Sequence, residues 1–185
     1  CFFSLSVYGD DREVIVIQDA ASGGLISDYL TGLYNRRAFF TLANHEIETA
    51  KRYKRQLFVV SIDIDNLKET NDAFGHTVGD ELLRSAATIL RATFRKSDII
   101  ARLGGDEFAI LALGEPGTIE MLMDRLKGIT ELGSRESMMK NKFPVLFSSG
   151  VATVRYDLED QFQLALKEAD KLMYDEKKKK KEKKR

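Results

Sequence analysis

No run of apolar residues in this 185-residue chain approaches the length of a membrane span. The N-terminus lacks the basic, then apolar, then small-residue order of a secretory signal. A single cysteine, Cys1, excludes an internal disulfide and fits a reducing, cytoplasmic setting. The chain opens on Cys rather than Met, which points to a piece of something longer and leaves a membrane-anchored parent open. Net charge is absent too, but its absence is a balance: residues 177–185 carry eight basic residues and one acid, and the remainder carries 21 basic against 28 acidic residues. An acidic body argues against nucleic acid as a partner. The basic tail, residues 179–185, reads as a solvated helix end, or alternatively as a contact for a nucleic acid or membrane surface. What is present, 43% hydrophobic and 31% charged residues, fits one ordinary globular domain with a short appendage.

Residues 2–8 and 13–17 read as two short strands around a Gly9–Arg12 turn. Two strands cannot bury a core, so residues 1–20 are expected to complete a sheet belonging to an upstream part of the protein. They resemble the end of a PAS-type sensor domain; an expression remnant or an extra edge hairpin is the alternative. Residues 21–27 form a linker around Gly23-Gly24, and the main domain is expected over 28–178. Asn35 can cap a helix over 36–54, with Phe39, Leu42, Ala43, Ile47 and Ala50 on its buried face. Residues 57–65 are a nearly apolar strand running into acids, a pattern of a central strand covered on both faces. A polar stretch from Asn66 to Asp80 with two glycines follows, opening on a turn at the strand end. A helix over 81–94 comes next, with Asp80 at its N-cap. Residues 99–111 form a hairpin about Gly104-Gly105. Residues 117–132 are a helix, 134–141 a loop, 143–152 a strand with Pro144 at its start, and 158–178 the last helix. The order βαβαβ-hairpin-α-β-α predicts an α/β (α+β) mixed sheet flanked by helices.

Chemistry concentrates at strand ends and turns. Gly104-Gly105 permits positive φ and lets a ligand approach bare backbone. Asp106 and Glu107 follow at once, and two adjacent carboxylates repel unless a cation or proton sits between them. Asp63, at the end of the apolar strand, stands where open α/β sheets place ligands and is the strongest single metal-ligand candidate; Asp65 reads better as a cap for the next turn. Backbone N–H groups of Asn66, Leu67 and Lys68 can hold phosphate, and Lys68 adds a point charge. Asn71 offers donor and acceptor and Asp80 acceptors only, a pair that suits guanine. His76 is a secondary candidate beside a structural role. Arg95 and Asp98 make either a surface ion pair or a site for a guanine base.

Gly104-Gly105-Asp106-Glu107-Phe108 resembles the signature of the GGDEF family, the diguanylate cyclases. Asp28–Phe39, the spacing from Asp63 through Lys68, Asn71, Gly75-His76 and Gly79-Asp80, the Arg95/Asp98 pair, and Ala169–Lys177 resemble further motifs of that family at its spacing. The resemblance implies a palm-like fold of the nucleotidyl-cyclase and polymerase type. It implies condensation of two GTP into cyclic di-GMP with release of two pyrophosphates, in bacterial second-messenger signalling. It further implies Mg²⁺, with Mn²⁺ as the alternative, held by Asp63, the Ile64 carbonyl, Asp106 and Glu107. Asp106 or Glu107 takes the proton, and which one is open. Asn71 and Asp80 read guanine, Asn66–Lys68 hold the β/γ-phosphates, Lys68 steadies the α-phosphate, and Lys177 contacts the triphosphate. Lys180-Lys181 stand where the family often has Gly-Arg; Lys181 keeps the charge without the bidentate fork. Leu67 replaces a frequent aromatic. Arg95 and Asp98 correspond to the site where the product inhibits. One domain holds one GTP, so a homodimer is implied, set by the upstream sensor. A non-catalytic receptor for GTP or cyclic di-GMP is the alternative function.

Overall fold

Eight consecutive buried residues, Leu57–Ile64, form the centre of the computed structural model, which describes residues 4–5, 15–16, 26–115, 117–139, 143–156 and 160–183. The elements are β1 (Ser4–Leu5), β2 (Ile15–Val16), β3 (Tyr34–Asn35), α1 (Arg36–Arg52), β4 (Gln56–Ile64), α2 (Leu67–Phe74), α3 (His76–Thr93), β5 (Ile99–Gly104), β6 (Glu107–Gly114), α4 (Thr118–Met139), β7 (Phe147–Thr153) and α5 (Gln161–Lys183). β1 and β2 pair antiparallel; the turn expected between them and the linker over 21–25 lie outside the described residues. The main sheet has the order β3-β5-β6-β4-β7, with β3 parallel to β5 and every other pair antiparallel.

Alternation along β4 sorts the core into two layers. Phe58, Val60, Ile62 and Ile64 pack with Leu82, Leu83, Ala86 and Leu90 of α3 and Ile119, Leu122 and Leu126 of α4. Leu57 and Val59 face the other way, onto Phe39, Ala43 and Ile47 of α1 and Phe162, Ala165 and Ala169 of α5. The sheet is therefore mixed and flanked by helices on both faces, as the sequence pattern predicts. α5 lies so close to β7 that a Cβ on Gly150 would stand 2.1 Å from the Ala169 carbonyl oxygen and 2.4 Å from the Met173 nitrogen.

Four local expectations are corrected. The stretch Asn66–Asp80, ahead of the helix expected from 81, is itself helical, in two helices broken at Gly75, which has φ 84°. α3 begins at His76, so Asp80 lies in its second turn and Gly75, not Asp80, occupies the N-cap. α4 continues to Met139 through most of the expected loop; no proline interrupts that stretch, and a single glycine costs only about 1 kcal/mol in a helix. α5 starts at Gln161 and runs to Lys183, because lysine is a good helix former and its charge complements the negative end of the helix dipole. The Asn35 cap is present as expected: its Oδ1 accepts from the Ala38 N–H at 2.9 Å.

Candidate active site

The register of β4 against β6 sets Asp63 directly opposite Glu107. Both side chains project toward the α5 side, because the alternation that buries Val59 and Leu111 there is continued by Asp63 and Glu107. Asp106, at the hairpin tip, is held over the same strand end, its carbonyl accepting from the Ile64 N–H at 3.1 Å. The tip needs glycine for backbone reasons: Gly105 has φ 53° and Gly104 φ 151°, while a Cβ at either would meet nothing within 4 Å. The sequence thus brings Asp63, Ile64, Asp106 and Glu107 to one strand end.

A cation already stands among these acids. Lys177 of α5 donates to Asp63 Oδ1 at 2.5 Å and lies 3.8 Å from Asp106 Oδ2. Asp63 is only 6% exposed. Burial pushes its carboxyl above the ordinary 3.8; the Lys177 hydrogen bond and charge pull it down, and the charges of Asp106 and Asp65 push it up. Burial pulls the Lys177 ammonium down, but Asp63, Asp106 and Asp65 outweigh it and hold it above the ordinary 10.5. A second cation sits one turn further along. Lys180 lies 3.5 Å from Asp65 Oδ2 and 3.0 Å from Glu176 Oε1, and it donates to the Phe147 carbonyl.

Past β4, Asn66 adopts the left-handed conformation (φ 65°) and α2 begins at the next residue. Leu67 is buried in the core, so only its backbone faces the site; Lys68 is exposed in the first turn. Asn71 reaches across to α3: its Oδ1 is buried with no hydrogen-bond partner among the described residues, and a Cβ on Gly79 would stand 1.9 Å from it. Asn71 is thereby packed against Gly79, the residue before Asp80. His76 is exposed at the start of α3, and Lys181 is exposed on α5.

Arg95 and Asp98 lie apart from this cluster, at the end of α3. Asp98 is buried and accepts from the Arg95 backbone N–H at 2.8 Å. Burial raises its carboxyl above the ordinary 3.8, against backbone hydrogen bonds from Arg95 and Leu113 and the charge of Arg95. The pair lines a cavity of about 660 Å³ together with Arg91, Tyr34 and Ile26.

Three contributors escaped the sequence reading. Arg91 donates to the Thr31 carbonyl at 3.2 Å and joins the Arg95 cavity; its spacing of four residues from Arg95 was the available signal. Arg102 donates from Nε and Nη2 to the Gly105 carbonyl at 3.0 and 2.8 Å, and from Nη1 to both Asp28 oxygens at 3.3 Å. It ties the hairpin tip to the entry of the domain. Burial would raise the Asp28 carboxyl, but hydrogen bonds from Thr31 and the Arg102 charge hold it below 3.8. Lys180 is the third: the resemblance marks its position beside Lys181 but gives it no role, and Glu176 four residues earlier was the signal for one.

The donor set at the strand end is all oxygen, three carboxylates and one carbonyl, as Mg²⁺ or Mn²⁺ requires. The residues fit such an ion chemically, since Lys177 already supplies positive charge between Asp63 and Asp106. Among the described residues no three acidic, imidazole or thiol side chains stand grouped as a ready-made ion site. No described helix is long and apolar enough to cross a membrane.

Residues 25–183 match the family described as diguanylate cyclase, GGDEF domain. DgcS of Shewanella oneidensis, a diguanylate cyclase, is 31% identical over 147 residues, covering 80% of this chain and 48% of that protein. DgcC of Escherichia coli, a probable diguanylate cyclase, is 44% identical over 89 residues, covering 48% of this chain and 24% of that protein. The chain therefore spans about half the length, or less, of these curated relatives. Among solved structures, the GGDEF domain of DgcB from Caulobacter crescentus in complex with c-di-GMP superimposes with a TM-score of 0.73 at 26% identity, covering 84% of this chain and 91% of that one. The GGDEF domain of TpbB from Pseudomonas aeruginosa gives 0.71 at 31% identity, covering 83% and 89%.

Proposed function

Because the chain belongs to the GGDEF-domain family of diguanylate cyclases, we propose that it condenses two GTP molecules into cyclic di-GMP and releases two pyrophosphates. The observation that carries this reading is the meeting of Asp63, Asp106 and Glu107 at one strand end beside Lys177.

The 3′-hydroxyl of one GTP attacks the α-phosphate of another, in line with the departing pyrophosphate. Such chemistry needs positioning and charge neutralisation more than covalent participation. Mg²⁺ or Mn²⁺, held by Asp63, the Ile64 carbonyl, Asp106 and Glu107, would neutralise phosphate charge and acidify the hydroxyl. Asp106 or Glu107 accepts the hydroxyl proton. The free N–H groups that open α2, from Leu67 onward beside Asn66, bind the β/γ-phosphates, and Lys68 steadies the α-phosphate. Lys177 and the more exposed Lys181 supply further positive charge. Asn71 and Asp80 read the guanine edge, with His76 beside them. Each domain presents one GTP, so turnover requires two copies face to face, brought together by a sensor domain upstream. Arg95 and Asp98 bind the product and slow the enzyme when it accumulates. The domain acts in the cytoplasm, where GTP is available.

The test is incubation of concentrated protein with GTP and Mg²⁺, with products resolved by chromatography and mass spectrometry. Cyclic di-GMP, formed at a rate rising faster than linearly with protein concentration, is the expected result. Tight binding of cyclic di-GMP without any product from a forcibly dimerised protein would replace the cyclase reading with that of a receptor.

A further inference from the structure

Two rows of opposite charge face each other where α5 crosses the end of β4. Lys177 and Lys180, three residues apart and so on one face of the helix, stand against Asp63 and Asp65, two residues apart at the strand end. Lys177 belongs to the site already described. The second pair lies at the point where the chain leaves β4 for α2.

Asp65 is fixed from three directions. Its backbone N–H donates to the Leu146 carbonyl at 2.8 Å, Ser148 Oγ donates to its Oδ1 at 2.7 Å, and Lys180 lies 3.5 Å from its Oδ2. Its side chain is only 11% exposed. Lys180 is itself held by the Phe147 carbonyl and by Glu176, whose other carboxylate oxygen accepts from the Ser149 N–H at 2.6 Å and Oγ at 3.3 Å. One cluster thus joins the ends of β4 and β7 to one turn of α5. The next residue, Asn66, is in the left-handed conformation and directs the chain into α2. An uncompensated Asp65 carboxylate would repel any polyanion arriving at the start of that helix, and among the described residues Lys180 is the cation in ion-pair contact with it, Lys177 acting on it only from further off.

We propose that Lys180 is a positioning residue for the nucleotide: it compensates Asp65 and, with Glu176, fixes the turn into α2 so that a triphosphate can settle there. This inference rests on the GTP reading above and adds a residue to it. Lys180 acts through Asp65 and the turn, whereas Lys181, exposed one residue on, is free to meet solvent or ligand directly.

The experiment measures equilibrium binding of GTP in Mg²⁺, together with kcat and KM, for wild type, Lys180→Met, Asp65→Asn and the double variant. Lys180→Met is expected to weaken GTP binding and raise KM about tenfold, a factor equivalent to about 1.4 kcal/mol, with kcat within about twofold. The loss shrinks as salt screens the uncompensated charge. In the Asp65→Asn background the same substitution is expected to change binding by less than about twofold, because the charge it compensated is gone. Lys180→Gln, which keeps a donor for the Phe147 carbonyl but no charge, guards against a folding defect and must weaken binding to the same extent. Unchanged binding in both Lys180 variants, or an equal loss with and without the Asp65 carboxylate, overturns the inference while leaving the cyclase reading intact. A wild-type protein that binds no GTP overturns both.

Discussion

Gly79→Ala separates nucleotide recognition from folding. Gly79 lies inside α3, and its added Cβ would stand 1.9 Å from Asn71 Oδ1, 2.9 Å from Cγ and 3.3 Å from Nδ2. The atom struck hardest, Asn71 Oδ1, has no hydrogen-bond partner among the described residues, so that oxygen can swing away without breaking a hydrogen bond of its own. Overpacking costs about 1–3 kcal/mol, the lower end applying to so mobile a neighbour. Replacing glycine by alanine within a helix returns about 1 kcal/mol. The net effect on stability is within about 1 kcal/mol, a shift of the melting temperature by about 2–4 °C at most. Recognition suffers more. If Asn71 makes one or two hydrogen bonds to guanine, each worth about 0.5–1.5 kcal/mol, its displacement weakens GTP binding about 2- to 150-fold. The assay is a GTP titration run beside a thermal melt, with ATP as the comparison ligand; the preference for GTP should fall as affinity falls. Unaltered GTP affinity in a variant whose structure shows Asn71 displaced would refute the assignment of Asn71 to the base. A melting temperature lowered by 10 °C or more, well beyond the shift worked out above, would refute the claim that the amide is free to move.

Gly150→Ala has the opposite profile: the added Cβ meets backbone atoms of α5 at 2.1 and 2.4 Å, so the helix itself must retreat, with an expected loss of about 3 kcal/mol or more in denaturant unfolding. Asp106→Ala or Glu107→Ala is expected to abolish cyclic di-GMP formation with an unchanged far-UV spectrum, and full activity in both would sink the proposed chemistry. Arg95→Ala should relieve inhibition by added cyclic di-GMP without lowering the initial rate, as progress curves would reveal. Asp28 titrates below its ordinary 3.8, so the stability it contributes is complete above that value and is lost as pH falls through the depressed one; the difference in denaturant midpoint between wild type and Asp28→Asn should close over that range. Asp63, raised by burial, works in the other sense, its contribution growing as pH falls through its raised value toward 3.8.

Much of this was legible in the chain. β4 announces itself as an apolar run, and α1 by its cap and its periodic Phe39, Ala43, Ile47 and Ala50. The site acids follow from position, because Asp63 ends that run and Asp106 follows a glycine pair. The stretch Asn66–Asp80 was illegible for a physical reason: α2 is eight residues long with only Leu67 and Thr70 buried, too short to display a periodic face. Arg91 and Arg102 were missed because their partners, Thr31 and Asp28, lie 60 and 74 residues away, and no local pattern records such a meeting. Lys180 was hidden inside a lysine run whose members differ only in which way the helix turns them.

The pairing of β4 with β6 also makes the candidate acids a matter of counting. Eight residue pairs run without interruption from Gln56 opposite Gly114 to Asp63 opposite Glu107. One residue inserted within that span must either bulge out or slip the strand, and a slip of one exchanges the two faces of a segment buried on both. A slip of two restores the faces but carries Asp63 about 7 Å along the sheet, away from Glu107. Insertions at Tyr53–Arg55, between α1 and β4, leave the count untouched. The paired segments Gln56–Asp63 and Glu107–Gly114 are therefore a ruler as much as a scaffold: their side chains tolerate exchange among residues of like size, while their length tolerates no editing.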